Sequence, residues 1–460
     1  MTATGIDLRA DTSVKPTGGK LVPPSFKDAT VVDLVAAPVF GGPGRGWLIG
    51  FLVASIGTLV IAASAIWLLE EGIGIWGLNT SVVWGVAIAS YVWWIGIGNA
   101  GTLISAMLLI MRQPWRASMN RFAEAMTIFA VSIAGIFPIL HLGRPMYFYW
   151  LAPYPNTMTL WPQWRSALVW DFWAILSYLL FSIMFWYTGM IPDLAALRDR
   201  AKTRPTKLFY GCLALGWRGS ARHWTAYRML TVTMAALAIP LVCSVHSIVG
   251  LDFAASLMPG WQEPIFPPYF VLGAMYSGFA MVIVLAALVR WGYGLQAVVT
   301  VKHFDIMAQI LAASALIMGI SYATEWFAAW YNGRPDDRSY IVFLFTGHYA
   351  PIFFAMLICN VVLAQIFWFP AARQNILLIC IVSIFVNIGM WLERILIIWV
   401  TLSHTHLPSM ERVFIMKPAD WIFIFFPLAF FALLFLIFAK FLPTVAIHEV
   451  QELRRKEAEA

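Results

Sequence analysis

Three ionisable side chains stand at the ends of long apolar runs in this chain: His141, Asp171 and Asp252. Charge is expensive at bilayer depth, so an ionisable group retained there marks a functional site or needs a partner. An imidazole and two carboxylates near one membrane face form a set able to take protons from a bound molecule or return them. Each also has a plainer reading. His141 lies in GIFPILHLGRP, residues 135–145, where Gly143 and Pro145 stop a helix and leave the imidazole near water. It can serve there as a proton acceptor or simply anchor the helix end. Arg144 beside it reads as an interfacial residue. Asp171 lies in Trp170-Asp171-Phe172-Trp173, read as the first turn of a helix, where the helix dipole alone favours an acid. The preceding Ser-Ala-Leu-Val-Trp already continues the apolar run, which places Asp171 below the headgroups. Asp252 follows His246 and Gly250-Leu251 and can begin a loop; its weight comes from the company of the other two.

Further polar groups sit deep in later spans. His246, Glu325, His348, Glu393 and Arg394 are candidates for a second polar route, and Glu393-Arg394 also reads as a pair that neutralises charge in the membrane. Glu325 is alternatively the partner of Arg394. His141 with His246 is the one histidine pair placed to hold a b-type haem, but such ligands are expected deeper in a bundle. The four cysteines are isolated, without CxxC, CxxCH or a ferredoxin-type run, so no attached haem or cysteine-bound iron–sulfur cluster is expected in this chain. No metal site is expected either.

What positions these residues is membrane helix. The chain has 460 residues, 61% of them hydrophobic and 12% charged, against about 25% charged in soluble domains. The 23 tryptophans suit aromatic belts at the two interfaces. The net charge of +7 reflects loop placement rather than nucleic-acid binding. Ten runs are long enough to span a bilayer: 47–69, 82–110, 121–141, 168–190, 228–249, 269–290, 306–331, 347–369, 374–402 and 420–442. Backbone groups in lipid must be satisfied internally, so these are helices, and the fold is an all-α integral membrane protein. Residues 1–46 and 443–460 read as polar tails around a transmembrane domain at 47–442. Residues 1–46 lack an apolar signal-like stretch.

Ten spans put both termini on one side. Loops and tails on that side hold 23 Lys and Arg, and those on the other hold 6. That excess places both termini in the cytoplasm. Five of the eight histidines, at 141, 246, 348, 404 and 406, then lie towards the outer face. A weak internal echo is present at an offset of 177. Asn99-Ala100-Gly101 is followed by Tyr276-Ser277-Gly278, and Asp171 by His348. Gly135-Ile136 precedes His141 by the spacing at which Gly319-Ile320 precedes Glu325. Spans 2–5 and 6–9 are therefore expected to form two four-helix bundles, with spans 1 and 10 peripheral.

The HLGRP segment, the Trp-Asp pair opening span 4 and IGNAGT in span 2 together resemble the NrfD/PsrC family of quinone-reactive membrane proteins. The resemblance covers roughly 40–440 and is most like the ActC-type subunit of bacterial alternative complex III. It implies a quinol site formed by His141, Asp171 and Asp252 near the periplasmic face, with menaquinol the expected substrate. It implies a bacterial inner-membrane location. The implied partners are a periplasmic iron–sulfur/molybdopterin-like subunit, multihaem and monohaem cytochrome c subunits, and a paralogous membrane subunit. Proton translocation coupled to quinol oxidation is a further expectation. A related alternative is the quinone-reactive anchor of a molybdopterin oxidoreductase. An alternative of another class is a secondary transporter, but those place their sites near the midplane, and the polar groups here lie near one face.

Overall fold

In the computed structural model of the chain, residues 21–22, 27–154 and 161–459 are described. Ten helices among them are long and apolar enough to cross a membrane. The elements in chain order are α1 (Asp28–Phe40), α2 (Arg45–Glu71), α3 (Val86–Ile110), α4 (Asn120–His141), α5 (Ala167–Arg200), α6 (Arg204–Leu213), α7 (Ala221–Ala254), α8 (Phe266–Gly292), α9 (Val301–Tyr331), α10 (Pro335–Thr346), α11 (Ala350–Trp368), α12 (Ile376–Ser403), α13 (Pro418–Phe441) and α14 (Ile447–Glu459). All but α1, α6, α10 and α14 are the spanning helices. No strand occurs among the described residues, as expected where lipid offers no partner for an open sheet edge.

The packing follows the expected layout. Helices α3, α4, α5 and α7 form one bundle, and α8, α9, α11 and α12 the other. They meet where α3 packs on α8 and α12, and α7 on α8. Helices α2 and α13 pair with each other at the periphery, α13 also resting on α4. Lipid tails are as apolar as leucine, so helices associate through close packing rather than hydrophobic expulsion. Helix α3 shows how. It is buried along nearly its whole length. In its IGNAGT segment, a β-carbon on Gly98 would collide with Val131 of α4 and one on Gly101 with the Ala123 carbonyl. A β-carbon on Gly278 of α8 would overlap Ala100 of α3. The first pair of segments in the sequence echo is thus the place where corresponding helices of the two bundles touch. The second is not structurally equivalent: Asp171 is buried within a helix, whereas His348 is exposed ahead of α11, its ring at right angles to that of Tyr349.

The tails carry structure of their own. Of residues 1–46, residues 1–20 and 23–26 lie outside the described residues, but α1 follows and buries Val31 and Val35. Helix α14 buries Ile447, Val450 and Leu453. Asp28 of α1 accepts from Arg455 at 2.6 Å and pairs with Arg454 at 2.7 Å. Helices α1 and α14 thus meet on one face, the terminal face, as the even number of spans between them requires.

Two sequence boundaries shift. Helix α5 begins at Ala167 with Ser166 before it, so Asp171 sits in the second turn rather than the first. Helix α7 continues to Ala254, so Asp252 belongs to its last turn and does not open a loop. In both places small or apolar neighbours let the helix extend past the carboxylate.

The Gly278 contact yields a prediction. Gly278→Ala forces the bundles apart at their closest approach and should destabilise by about 1–3 kcal/mol, the usual cost of overpacking. Thermal melting of the detergent-solubilised protein checks this; an unchanged melting temperature would mean the two bundles are not packed this tightly.

Candidate functional site

At the face opposite the termini, α3 and α5 begin and α4 and α7 end, so side chains from four helices share one level. The structure brings two of the three expected residues together. Asp171 of α5 and Asp252 of α7 face each other at hydrogen-bonding range, 81 residues apart in sequence. Tyr91 of α3 lies against Asp171. Asp171 and Tyr91 are buried, and Asp252 is half-buried. One carboxylate oxygen of each aspartate and the Tyr91 hydroxyl lack an aligned hydrogen-bond partner. Buried polar atoms are ordinarily satisfied, so three unsatisfied oxygens at one spot describe a place for a polar ligand.

His141 is placed differently. The last residue of α4, it is half-buried and stacks on Trp76, with ring centroids 6.1 Å apart and planes 19° apart. Trp76 comes from the segment between α2 and α3 and meets Phe423 of α13 edge-on. Nδ1 of His141 has no partner. Gly143, at φ 75°, ends the helix as its sequence required. Arg144 is exposed.

Below the aspartates, His246 of α7 is buried and hydrogen-bonds through Nδ1 to the side-chain amide of Asn99. The Tyr178 hydroxyl donates to the Gly98 and Asn99 carbonyls at 3.2 and 3.3 Å. His246 Nε2 is unpartnered, and Arg394 of the second bundle is near enough to act on it electrostatically.

The second bundle holds its own buried polar cluster. Arg394 and Glu393 form an ion pair at 2.8 Å, and the Arg394 guanidinium lies 4.3 Å over the Phe270 ring. Tyr322 donates to Glu393, and the Asn360 amide donates to Tyr322 at 2.9 Å and to Glu393 at 3.2 Å. Asn360 lies in a π-helical stretch, Ile358–Val362, and a second stretch follows Arg394 at Leu396–Val400. Such bulges re-aim side chains and often mark functional places. Of the alternatives open for Arg394, the structure selects Glu393 over Glu325. Glu325 lies half-buried in α9 between the fields of Glu393 and Glu263. His348 stands apart from this cluster, exposed between α10 and α11 on the face opposite the termini.

Several of these partners escape sequence reading. Tyr91, Asn99, Tyr322 and Asn360 are ordinary polar residues in apolar helices, and only helix packing gives them a partner. Glu263, in the loop between α7 and α8, gave no motif. Burial and the neighbouring Asp337 push its carboxyl up from 4.5 to about 7, against the opposing pull of Arg334. Asp193 of α5 was also missed. It pairs with Arg121 at 3.1 Å and with His448 at 3.0 Å on the terminal face.

The fold and its polar clusters define a multi-pass helical membrane protein with titratable groups gathered where helix ends meet. Comparison with known proteins narrows this. The profile of the family described as "Polysulphide reductase, NrfD" matches residues 75–403, well over half of the chain. The chain belongs to the NrfD polysulphide reductase family. It is 26% identical over 254 residues to a protein of Halobacterium salinarum that is provisionally named as a membrane subunit of dimethyl sulfoxide reductase, covering 54% of this chain and 52% of that one. It is 24% identical over 245 residues to one of the subunits of selenate reductase from Mesobacillus selenatarsenatis, covering 51% of this chain and 55% of that one. The chain thus spans about half the length of these curated relatives.

Glu263 supplies a pH prediction. Between pH 4.5 and about 7 the unfolded chain has released this proton and the folded chain keeps it, so stability falls as pH rises through that window and levels off above it. Glu263→Gln should remove that part of the pH dependence. Melting temperatures of both proteins across pH 4–8 check it; parallel curves would show that Glu263 is ordinary.

Proposed function

We propose that this chain is the quinone-reactive membrane subunit of a multisubunit oxidoreductase. The observation that carries the reading is the facing pair Asp171 and Asp252 beside Tyr91, contributed by three different helices yet with unsatisfied oxygens at one point. A quinol releases two protons and two electrons when oxidised. A carboxylate within hydrogen-bond range of a ring hydroxyl takes a proton as the electrons depart, and the second carboxyl relays it towards the exposed rim. Tyr91 donates to the ring oxygen and fixes its position. His141, on its Trp76 shelf, meets the second ring hydroxyl and takes the second proton on its unpartnered nitrogen. The apolar walls of α3, α5 and α7 accommodate the isoprenoid tail. The electrons leave to an acceptor on a partner protein. The sequence leaves open which quinone is used and takes menaquinol as its first candidate.

The names of the two relatives favour a reductase complex, with the quinol oxidised here and a molybdopterin-type catalytic subunit and iron–sulfur partner reducing the terminal acceptor. A second reading, the quinol-oxidising subunit of alternative complex III with cytochrome c partners and a paralogous membrane subunit, is favoured by the joint presence of His141, Asp171 and Asp252 in a ten-span chain. In either case the termini are taken as cytoplasmic from the charge asymmetry. The aspartate pair then faces the periplasm of a bacterial inner membrane. His246, Arg394, Glu393 and Glu325 form the polar path that coupled proton translocation would use, and His348 lies off it. Purification in mild detergent separates the readings: haem-stained cytochromes in the complex support the second, and molybdopterin without them supports the first.

Asp171→Asn keeps shape and hydrogen bonding but removes the proton acceptor. Quinol-dependent turnover should fall by about 10²-fold or more, while the complex still assembles, because asparagine is cheaper to bury than a carboxylate. Near-normal turnover would move the site elsewhere, and loss of assembly would make the carboxylate structural.

A further inference from the structure

On the terminal face, away from the aspartate pair, α3, α5 and α7 diverge and α14 roofs the gap between them. The open space between them is about 410 Å³, within the range of about 300–1,000 Å³ typical of small-molecule sites. It has two unlike halves. Towards the membrane its wall is apolar, built by Leu108 and Leu109 from the last turn of α3, Phe185 of α5 and Val232 of α7. Towards the terminal-face water its wall is cationic.

The charges there do not cancel. Three carboxylates line the cavity, and each is already matched. Glu124 pairs with Arg121 at 3.3 Å, Glu449 with Arg116 at 2.6 Å, and Glu452 with Lys456 at 2.8 Å. Arg112 and Arg228 remain at the rim with no carboxylate within ion-pair distance among the described residues. Both are exposed. The site therefore offers two guanidinium groups outside any close ion pair above an apolar floor, Arg228 lying within the field of Glu452.

Arg112 is held there at a cost. Helix α3 closes with the Gln113 N–H on the Leu108 carbonyl at 2.8 Å and the Arg112 N–H on the Leu109 carbonyl at 3.1 Å. That closure needs a left-handed residue between them, a position glycine ordinarily fills. Arginine occupies it, at φ 54°. A left-handed backbone is unfavourable for a residue that carries a β-carbon, so the sequence keeps a guanidinium at this rim against its local preference.

We propose that this cavity binds one anionic phospholipid of the leaflet on the terminal face, its phosphate between Arg112 and Arg228 and an acyl chain along Leu109, Phe185 and Val232. The depth fits: the cationic rim lies just beyond the end of α3 at Ile110, and the apolar wall lies within the spans. Guanidinium groups recognise phosphate through paired hydrogen bonds. Basic pockets between spanning helices select acidic headgroups over zwitterionic ones. The bound lipid would also brace α14 against the bundle, since Glu449, Glu452 and Leu453 of that helix line the same cavity.

The test is native mass spectrometry of the full chain, purified with its accompanying proteins and titrated with phosphatidylglycerol or phosphatidylcholine. One phosphatidylglycerol per chain should be retained, in preference to phosphatidylcholine. Arg112→Asn combined with Arg228→Gln should weaken that binding roughly tenfold or more; asparagine is chosen because it tolerates the left-handed backbone. Val232→Trp, which fills the apolar half without touching charge, should weaken it as well. Equal retention of phosphatidylcholine overturns the proposal, as does unaltered phosphatidylglycerol binding in either variant. Millimolar inorganic phosphate that displaces the lipid or binds in its place with the same arginine dependence also overturns it, since the site would then take a free anion.

Discussion

Everything in this fold depends on how closely α3 lets its neighbours approach. In lipid there is no hydrophobic gain from bringing two apolar helices together, so contact geometry must supply the association energy. Gly98 and Gly101 admit α4, and Gly278 admits α8 against Ala100. With those contacts made, α3 is enclosed by both bundles, and its polar residues have only protein to bond with. Asn99 meets His246, Tyr178 meets the Gly98 and Asn99 carbonyls, and Tyr91 reaches Asp171. The close packing comes first and the polar arrangement follows from it.

The buried polar groups divide into two kinds. On the terminal face the buried charges are matched: Arg121 is shared by Glu124 and Asp193, Asp193 by His448, and Ser105 donates to Glu124 at 2.5 Å. Such a satisfied network fixes the tails to the bundle, because removing any one member would strand a buried charge. At the opposite face the groups are unmatched. Two carboxyls face each other, with the Tyr91 hydroxyl and one His141 nitrogen left without partners. Matched charge reads as structure, and two facing carboxyls with an unmatched hydroxyl beside them read as a place prepared for something else to bind. The Glu393–Arg394 cluster in the second bundle stands between these cases, paired by charge yet placed beside two π-helical stretches.

Membership of the NrfD family fixes the class of membrane protein, while the matched relatives cover only about half of each chain. Two further helices stand outside the family match: α13, which pairs with α2 and packs against α4, and α14, which closes the terminal-face cavity. Both lie beyond the matched residues 75–403.

The sequence by itself determined the helices, their number and the shared side of the termini. Hydropathy and length depend on single segments, and lipid leaves a long apolar segment no alternative to helix. It also marked His141, Asp171 and Asp252, because a charge beside an apolar run is visible without knowing its neighbours. The partnership of Asp171 with Asp252, and the separate placement of His141 on Trp76, were decided only when four helices converged. Tyr91, Asn360 and Asp193, and the pairing of Asn99 with His246, could not be found in advance, since a lone polar residue in a helix acquires a role only from the side chain packed against it. Helix ends behaved likewise: Asp171 and Asp252 fell inside their helices because helix length near the interface is set by tertiary packing as much as by local signal. The sequence says which residues are costly to bury; the tertiary structure says which of those costs are offset by a partner and which are left open.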